Sequence, residues 1–171
     1  MRHTLNYIIL TSFLIFIVSC NIYSFNGASI PVGSSTVKIT TFTNNTSNST
    51  PDLQQKISEK LKDIFLEQTN LNLVNEYADL NFVGSIEKYE IKPISIKANE
   101  TTSQNRLSIT VKVKYVNNIS DQYNYETSFT RYSDFDGLSN LNDIENELTD
   151  LITDQLVEDI FNKAVINWWW K

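Results

Sequence analysis

Hydrophobic and polar positions change period several times along the chain. From Tyr7 to Val18 the residues are apolar, with Thr11 and Ser12 the polar interruptions. Val37 to Phe42 (VKITTF) alternates and is β-branched, which predicts a strand. A polar loop, TNNTSNST, ends at Thr50-Pro51, a threonine N-cap with proline in the first helical turn. Leu53, Ile57, Leu61, Ile64, Phe65 and Gln68 then recur at helical spacing and draw one apolar stripe.

The segment NLNLVNEYADLNFVGSIEKYEI returns to strand chemistry, with Leu80, Phe82, Gly84 and Ile86 on one face. After the polar stretch KANETTSQN comes the clearest strand, NRLSITVKVKYVNN. Its Leu107, Ile109, Val111, Val113 and Tyr115 point one way, and Arg106, Ser108, Thr110, Lys112 and Lys114 the other. YNYETSFTRY is the next strand, with Tyr123, Tyr125 and Phe129 inward. Leu141 to Trp168 is a long helix, with Asn142 and Glu145 spaced as a capping box. The order β-α-β-β-β-α predicts an α+β two-layer sandwich. Two helices pack on one face of a mixed four-stranded sheet, whose other face, bearing Arg106, Lys112 and Lys114, is exposed.

The last helix carries two apolar stripes. Ile144, Leu148, Leu151 and Ile152 line its first half, whereas Val157, Phe161, Ala164, Val165 and Trp168 fall on a different side. Either the stripe drifts as the helix bends across a twisted sheet, or the end of the helix docks on a partner. Trp168, Trp169 and Trp170 favour docking, because indole rings suit interfaces that are part apolar and part wet. Phe161, Val165 and the three tryptophans are therefore the candidate partner contacts.

The only cysteine changes the picture of the N-terminus. Arg2 and His3 precede the short apolar run, which stops at Ile17-Val18-Ser19-Cys20. About a dozen apolar residues are too few for the ~20 that span a bilayer as a helix, and a charged start before a short apolar run marks a secretory signal. The ending resembles a bacterial lipobox, in which the thiol receives a diacylglyceryl group and becomes the mature N-terminus. A buried cysteine within a signal anchor would require a longer hydrophobic run. The expected organisation is a signal peptide over residues 1–19, a lipidated segment over 20–36 and a folded domain over 37–171. A triacylated Cys20 holds a membrane lastingly, since each buried methylene contributes ~0.8 kcal/mol. No disulfide can form within the chain. Asn21 to Ile30 carries no charge, whereas an acidic run is expected of a lipoprotein flipped to the cell exterior, so the periplasmic face is expected.

Removing residues 1–19 takes Arg2 from the 14 basic residues and none of the 20 acids, leaving −7. That sign argues against a general nucleic-acid binder. The charges are unevenly spread. Lys88, Lys92, Lys97, Arg106, Lys112 and Lys114 face only Glu90 and Glu100 across residues 88–114, whereas residues 134–159 hold nine acids and no base. Cations able to make charge-assisted hydrogen bonds suit an anionic headgroup. The same six residues also suit the ordinary solvated face of a hairpin.

Catalytic chemistry is not indicated. The one histidine falls in the signal, and the four glycines are too scattered to cradle a phosphate. DFDG, Asp134 to Gly137, lacks the companions of a kinase metal motif and the acidic spacing of a calcium loop, and is expected to be a turn with Gly137 at positive φ. Asp143 with Glu147, and Asp150 with Asp154, are spaced i, i+4 but belong to an acid-rich, solvated helix face. No metal or cofactor is expected beyond the N-acyl diacylglyceryl group on Cys20.

YSFNGASI after the cysteine, FLEQTNLNLV, DLNFVGSI, NRLSITVKVKYVNN, FTRYSDFD and ITDQLVEDIFNKAVINW occur in order over nearly the whole mature chain. Together they resemble the LPS-assembly lipoprotein family LptE in its Bacteroidetes form. The resemblance implies the same two-helix, four-stranded sandwich and no enzymatic turnover. It also implies a lipoprotein subunit of the outer-membrane lipopolysaccharide (LPS) translocon. Such a subunit plugs the large β-barrel LptD, helps it assemble and contacts LPS in transit to the cell surface. The alternative is an auxiliary or pilot lipoprotein of another envelope machine, an ABC-type lipid transporter or a secretin.

Overall fold

In a computed structural model, residues 30–94 and 103–165 are described. Cys20, Lys97, Trp168, Trp169 and Trp170 lie outside them. In chain order the elements are β1 (Thr36–Ile39), β2 (Thr43–Asn44), α1 (Leu53–Gln68), β3 (Asn72–Leu73) and β4 (Leu80–Ile94). There follow β5 (Gln104–Asn117), a 3-10 turn (Asp121–Tyr123), β6 (Tyr125–Asp136) and α2 (Leu141–Val165). One mixed sheet runs β3-β1-β4-β5-β6, with β2 pairing β4. The β1 strand runs parallel to β3 and β4, β2 runs parallel to β4, and β4-β5-β6 is antiparallel.

The α+β sandwich is as expected, but the sheet has six strands rather than four. The single run expected over VKITTF breaks because Phe42 leaves the ladder. Its N–H bonds to Ser58 Oγ of α1 at 2.9 Å, and its ring packs on Gly84 of β4. A Cβ at Gly84 would lie 2.4 Å from that ring, so glycine is what lets the phenyl group reach the sheet. The following run divides into β3 and β4 around the loop 74–79.

The alternation in β5 holds along its length: Leu107, Ile109, Val111 and Val113 are fully buried and Tyr115 nearly so. In β4 it is interrupted once. Ile86 pairs with Val111 and Lys88 with Thr110, so Glu87 is an extra, bulged residue. Beyond it Tyr89 is buried, while Lys88 and Lys92 remain exposed.

The α1 stripe buries Leu53, Ile57, Ser58, Leu61 and Phe65. Its N-cap is Asp52 rather than Thr50, whose carbonyl accepts the Leu53 N–H at 3.2 Å. Asn140, not an Asn142–Glu145 box, supplies the side-chain oxygen at the start of α2, 3.3 Å from the Asn142 N–H. In α2 the two stripes merge into one buried face running from Leu148 to Val165, while Leu151, expected on the first stripe, is exposed. Phe161 and Val165 are each 2% exposed and belong to the domain's own core, so neither is an external contact. The drifting stripe is what this fold contains. Phe161 packs edge-on against Phe65 at 5.0 Å, and an aromatic row continues through Phe82 and Tyr115 to Tyr125.

The turn expected over DFDG starts only at its end, where the Ser139 N–H donates to Asp136 O at 3.0 Å and encloses Gly137. Asp134, Phe135 and Asp136 extend β6, with Phe135 buried. Gly137 has no positive φ; its N–H donates to Ser103 O at 2.8 Å, and a Cβ there would meet that oxygen at 2.9 Å. Among the described glycines, positive φ occurs at Gly33 (φ 94).

Candidate functional site: the helix-free face of the sheet

Strand register decides which charges meet. Lys112 stands between Ser85 and Ser128, Lys114 between Val83 and Glu126, and Arg106 between Lys92 and Asp134. Thr110 has Lys88 on one side and Thr130 on the other. Because Ile109, Val111 and Val113 of the same strand face the helices, all of these lie on the opposite face. Five of the six basic candidates, Lys88, Lys92, Arg106, Lys112 and Lys114, thus share one surface.

That surface is not uniformly positive, because β6 and the bulge bring acids to it. Arg106 grips Asp134 with two bonds, Nε to Oδ1 at 2.6 Å and Nη2 to Oδ2 at 2.8 Å. Its guanidinium also lies 3.6 Å from the centroid of the Tyr132 ring. The shared hydrogen bond raises the Arg106 pKa and lowers that of Asp134. Lys112 pairs with Glu126, which raises the ammonium pKa and lowers that of the carboxyl. Lys92 bonds to Glu90 at 2.7 Å and lowers its pKa. These pairs are open to water, so each stabilises the fold little and is screened by salt. Lys88 and Lys114 form no ion pair with a described residue. A shallow depression of about 270 Å³ lies between Val83, Ser85, Lys112, Lys114 and Glu126.

Glu126, Tyr132 and Asp134 were not among the sequence candidates. The signal available was the alternation of YETSFTRYSD, but only the pairing of β6 with β5 shows which cation each acid meets.

The acidic helix face is partnered as well. Lys56 lies 3.1 Å from Asp150, and Lys60 lies 2.5 Å from Asp154, which bridges α1 to α2. Arg131 forks onto Asp159 at 2.5 and 2.6 Å, tying the sheet edge to α2. Among the described residues, no three acidic, histidine or cysteine side chains gather to hold a metal ion. No described helix is long and apolar enough to cross a membrane.

A family model described as "LptE: Lipopolysaccharide-assembly" matches residues 34–164. No curated protein matches the chain. Among solved structures, a protein from Xanthomonas campestris is similar at 10% identity, covering 81% of this chain and 90% of its own, with a TM-score of 0.57. A putative neuraminyllactose-binding hemagglutinin homolog from Helicobacter pylori is 11% identical, covers 84% and 90% respectively, and has a TM-score of 0.53. A minor lipoprotein from Acinetobacter baumannii is 14% identical over 78% of this chain and 92% of its own, with a TM-score of 0.47. The first two share the fold.

Proposed function

Because the chain belongs to the LptE lipopolysaccharide-assembly family, we propose that it is the lipoprotein subunit of an outer-membrane LPS translocon. It is anchored on the periplasmic face through an N-acyl diacylglyceryl group on Cys20. It sits as a plug in an LptD-like barrel, helps that barrel assemble and contacts LPS in transit. The observation that supports this reading most directly is the helix-free sheet face. It presents lysines, hydroxyls and paired charges, and the lumen of a large barrel is itself polar.

On that face the cations differ in availability. The Arg106 fork is taken up by Asp134 and stacked on Tyr132, and Lys112 is held by Glu126. Lys88 and Lys114 need break no pair before meeting a phosphate. They are the first headgroup contacts, with Arg106, Lys112 and Lys92 exchanging partners as the lipid slides past; Lys97 falls between Lys92 and Arg106 in sequence.

The test uses mature protein on immobilised LPS at moderate salt. Lys88→Gln with Lys114→Gln lowers retention, and Asp134→Asn, which frees Arg106, raises it. Unchanged retention of both variants would remove LPS contact from this face. Isolation of the acylated protein in detergent identifies the partner: a large β-barrel supports the translocon reading, and a secretin ring or a permease sinks it.

A further inference from the structure

The end of the sandwich at which β1 and β4 begin and β5 stops is braced and apolar at once. Asp79 Oδ2 accepts the backbone N–H groups of Ser35 and Thr36 at 2.8 and 2.9 Å, and both their hydroxyls as well. The Asp79 carbonyl takes the Asn118 N–H at 2.8 Å, and Asn118 Nδ2 donates to Ala78 O at 2.7 Å. Three loops are thereby locked together. From them project Val32, 97% exposed, Tyr77, 98% exposed, and Ile119, 45% exposed.

These positions are held outward by backbone geometry. Ser34 N–H bonds to Pro31 O at 3.0 Å, with Gly33 at φ 94, so Val32 stands at the corner of a closed turn. A Cβ built on Gly33 would come 3.9 Å from Ile119 Cδ1, which places the two loops side by side. Tyr77 has φ 22, a strained conformation for an aromatic residue. Such strain points to a function for the loop rather than to packing, since the ring touches almost nothing within the domain.

We infer that this end is a membrane-contact tip: Val32, Tyr77 and Ile119 enter the interface of the lipid leaflet that holds the acyl chains. The inference rests on the proposed lipidation of Cys20. The occupant follows from chain geometry. The described fold begins at Ile30, at this same end, and ten positions separate it from Cys20. At full extension that tether reaches only ~35 Å. Asn21 to Ile30 is uncharged, so nothing in the tether resists the headgroup region. Tyrosine is favoured at interfacial depth, where its ring is in apolar surroundings and its hydroxyl in water. Glu76 and Asp121, in the flanking loops, limit the tip to that depth. The opposite end also offers an exposed apolar side chain, Leu138, but no tether, and it is the internal control.

With Cys20 acylated, an introduced cysteine is the sole free thiol. Full-length acylated protein carrying Val32→Cys, Tyr77→Cys, Ile119→Cys or Leu138→Cys is labelled with an environment-sensitive dye. It is then reconstituted into vesicles of phosphatidylethanolamine and phosphatidylglycerol. Nitroxide lipids should quench the dye at positions 32, 77 and 119 at least about threefold more than at 138. Equal quenching at all four, or strongest quenching at 138, in protein shown by mass spectrometry to be acylated, overturns the tip alone. Protein that carries no acyl group overturns the anchor, and the tip with it.

Discussion

The Tyr89 hydroxyl donates to Glu145 Oε1 at 2.5 Å, joining β4 just past its bulge to the second turn of α2. Tyr89 is 7% exposed, and both burial and the neighbouring carboxylate raise its pKa, so the phenol remains a donor throughout the working pH range. Tyr89→Phe leaves the ring in place and removes only the bond. A hydrogen bond to a charged group contributes about 1.5–3 kcal/mol. The urea midpoint should fall accordingly, and Glu145→Gln, which keeps an acceptor, should cost less. A Tyr89→Phe midpoint equal to wild type would mean that this bond contributes nothing.

Asp79 should dominate acid sensitivity at its end of the fold. Hydrogen bonds from the Ser35 N–H first, then the Thr36 hydroxyl, hold its carboxyl below the ordinary 3.8. A carboxylate depressed on folding contributes stability above its unfolded value and loses it as pH falls through the lower folded value. Asp79→Asn keeps one acceptor oxygen on a side chain partly open to water, and should therefore destabilise at pH 7 by no more than about 1 kcal/mol. The gap between variant and wild type should narrow below pH ~4. Urea titrations at pH 7 and pH 3 decide it, and a gap that stays constant would refute the assignment.

Gly84 and Phe42 should be energetically coupled. A Cβ 2.4 Å from the phenyl ring forces a shift in a packed core, at about 1–3 kcal/mol. Gly84→Ala should lower thermal stability strongly in the wild-type background and weakly beside Phe42→Leu. Strictly additive effects would show that the ring does not sit over the glycine.

Phe161→Ala should unfold or nearly unfold the domain rather than merely loosen a partner. The ring is 2% exposed and packs on Phe65, and Phe→Ala in a core costs about 3–5 kcal/mol. Circular dichroism melting reads this directly. A variant that melts normally yet fails to retain the barrel would restore Phe161 to the interface.

How much was visible in the sequence depended on how local each cause is. The β5 pattern was complete because alternation needs no knowledge of neighbours. The α1 stripe was visible for the same reason. The β2 and β3 strands were not, since two-residue strands acquire their definition from β4 and β1 beside them. Gly137 does sit in the expected turn, but a positive φ was wrongly assigned to it because its requirement is spatial, the close approach of Ser103. The six basic residues were visible as a cluster, but their neutralisation was not. Asp134 lies 28 positions from Arg106 in sequence and beside it in the sheet. Phe161 and Val165 looked like a second stripe because a straight-helix projection cannot show that α1 and the sheet cover both sides of α2.

The bulged Glu87 has a consequence for length variation in the gene. Inside and outside along a strand behave as a parity, which any odd change in residue number inverts downstream. Glu87 is the surplus residue that leaves no gap in the pairing, because Ile86 and Lys88 already oppose the neighbours Val111 and Thr110. Deleting it would restore an unbroken ladder and keep Tyr89 facing α2, with Lys88 and Lys92 still outward. Deleting one residue from the middle of β5 would instead drive Lys112 or Lys114 into the core. Single-codon loss is thus tolerable at one point of this hairpin and ruinous across the strand from it.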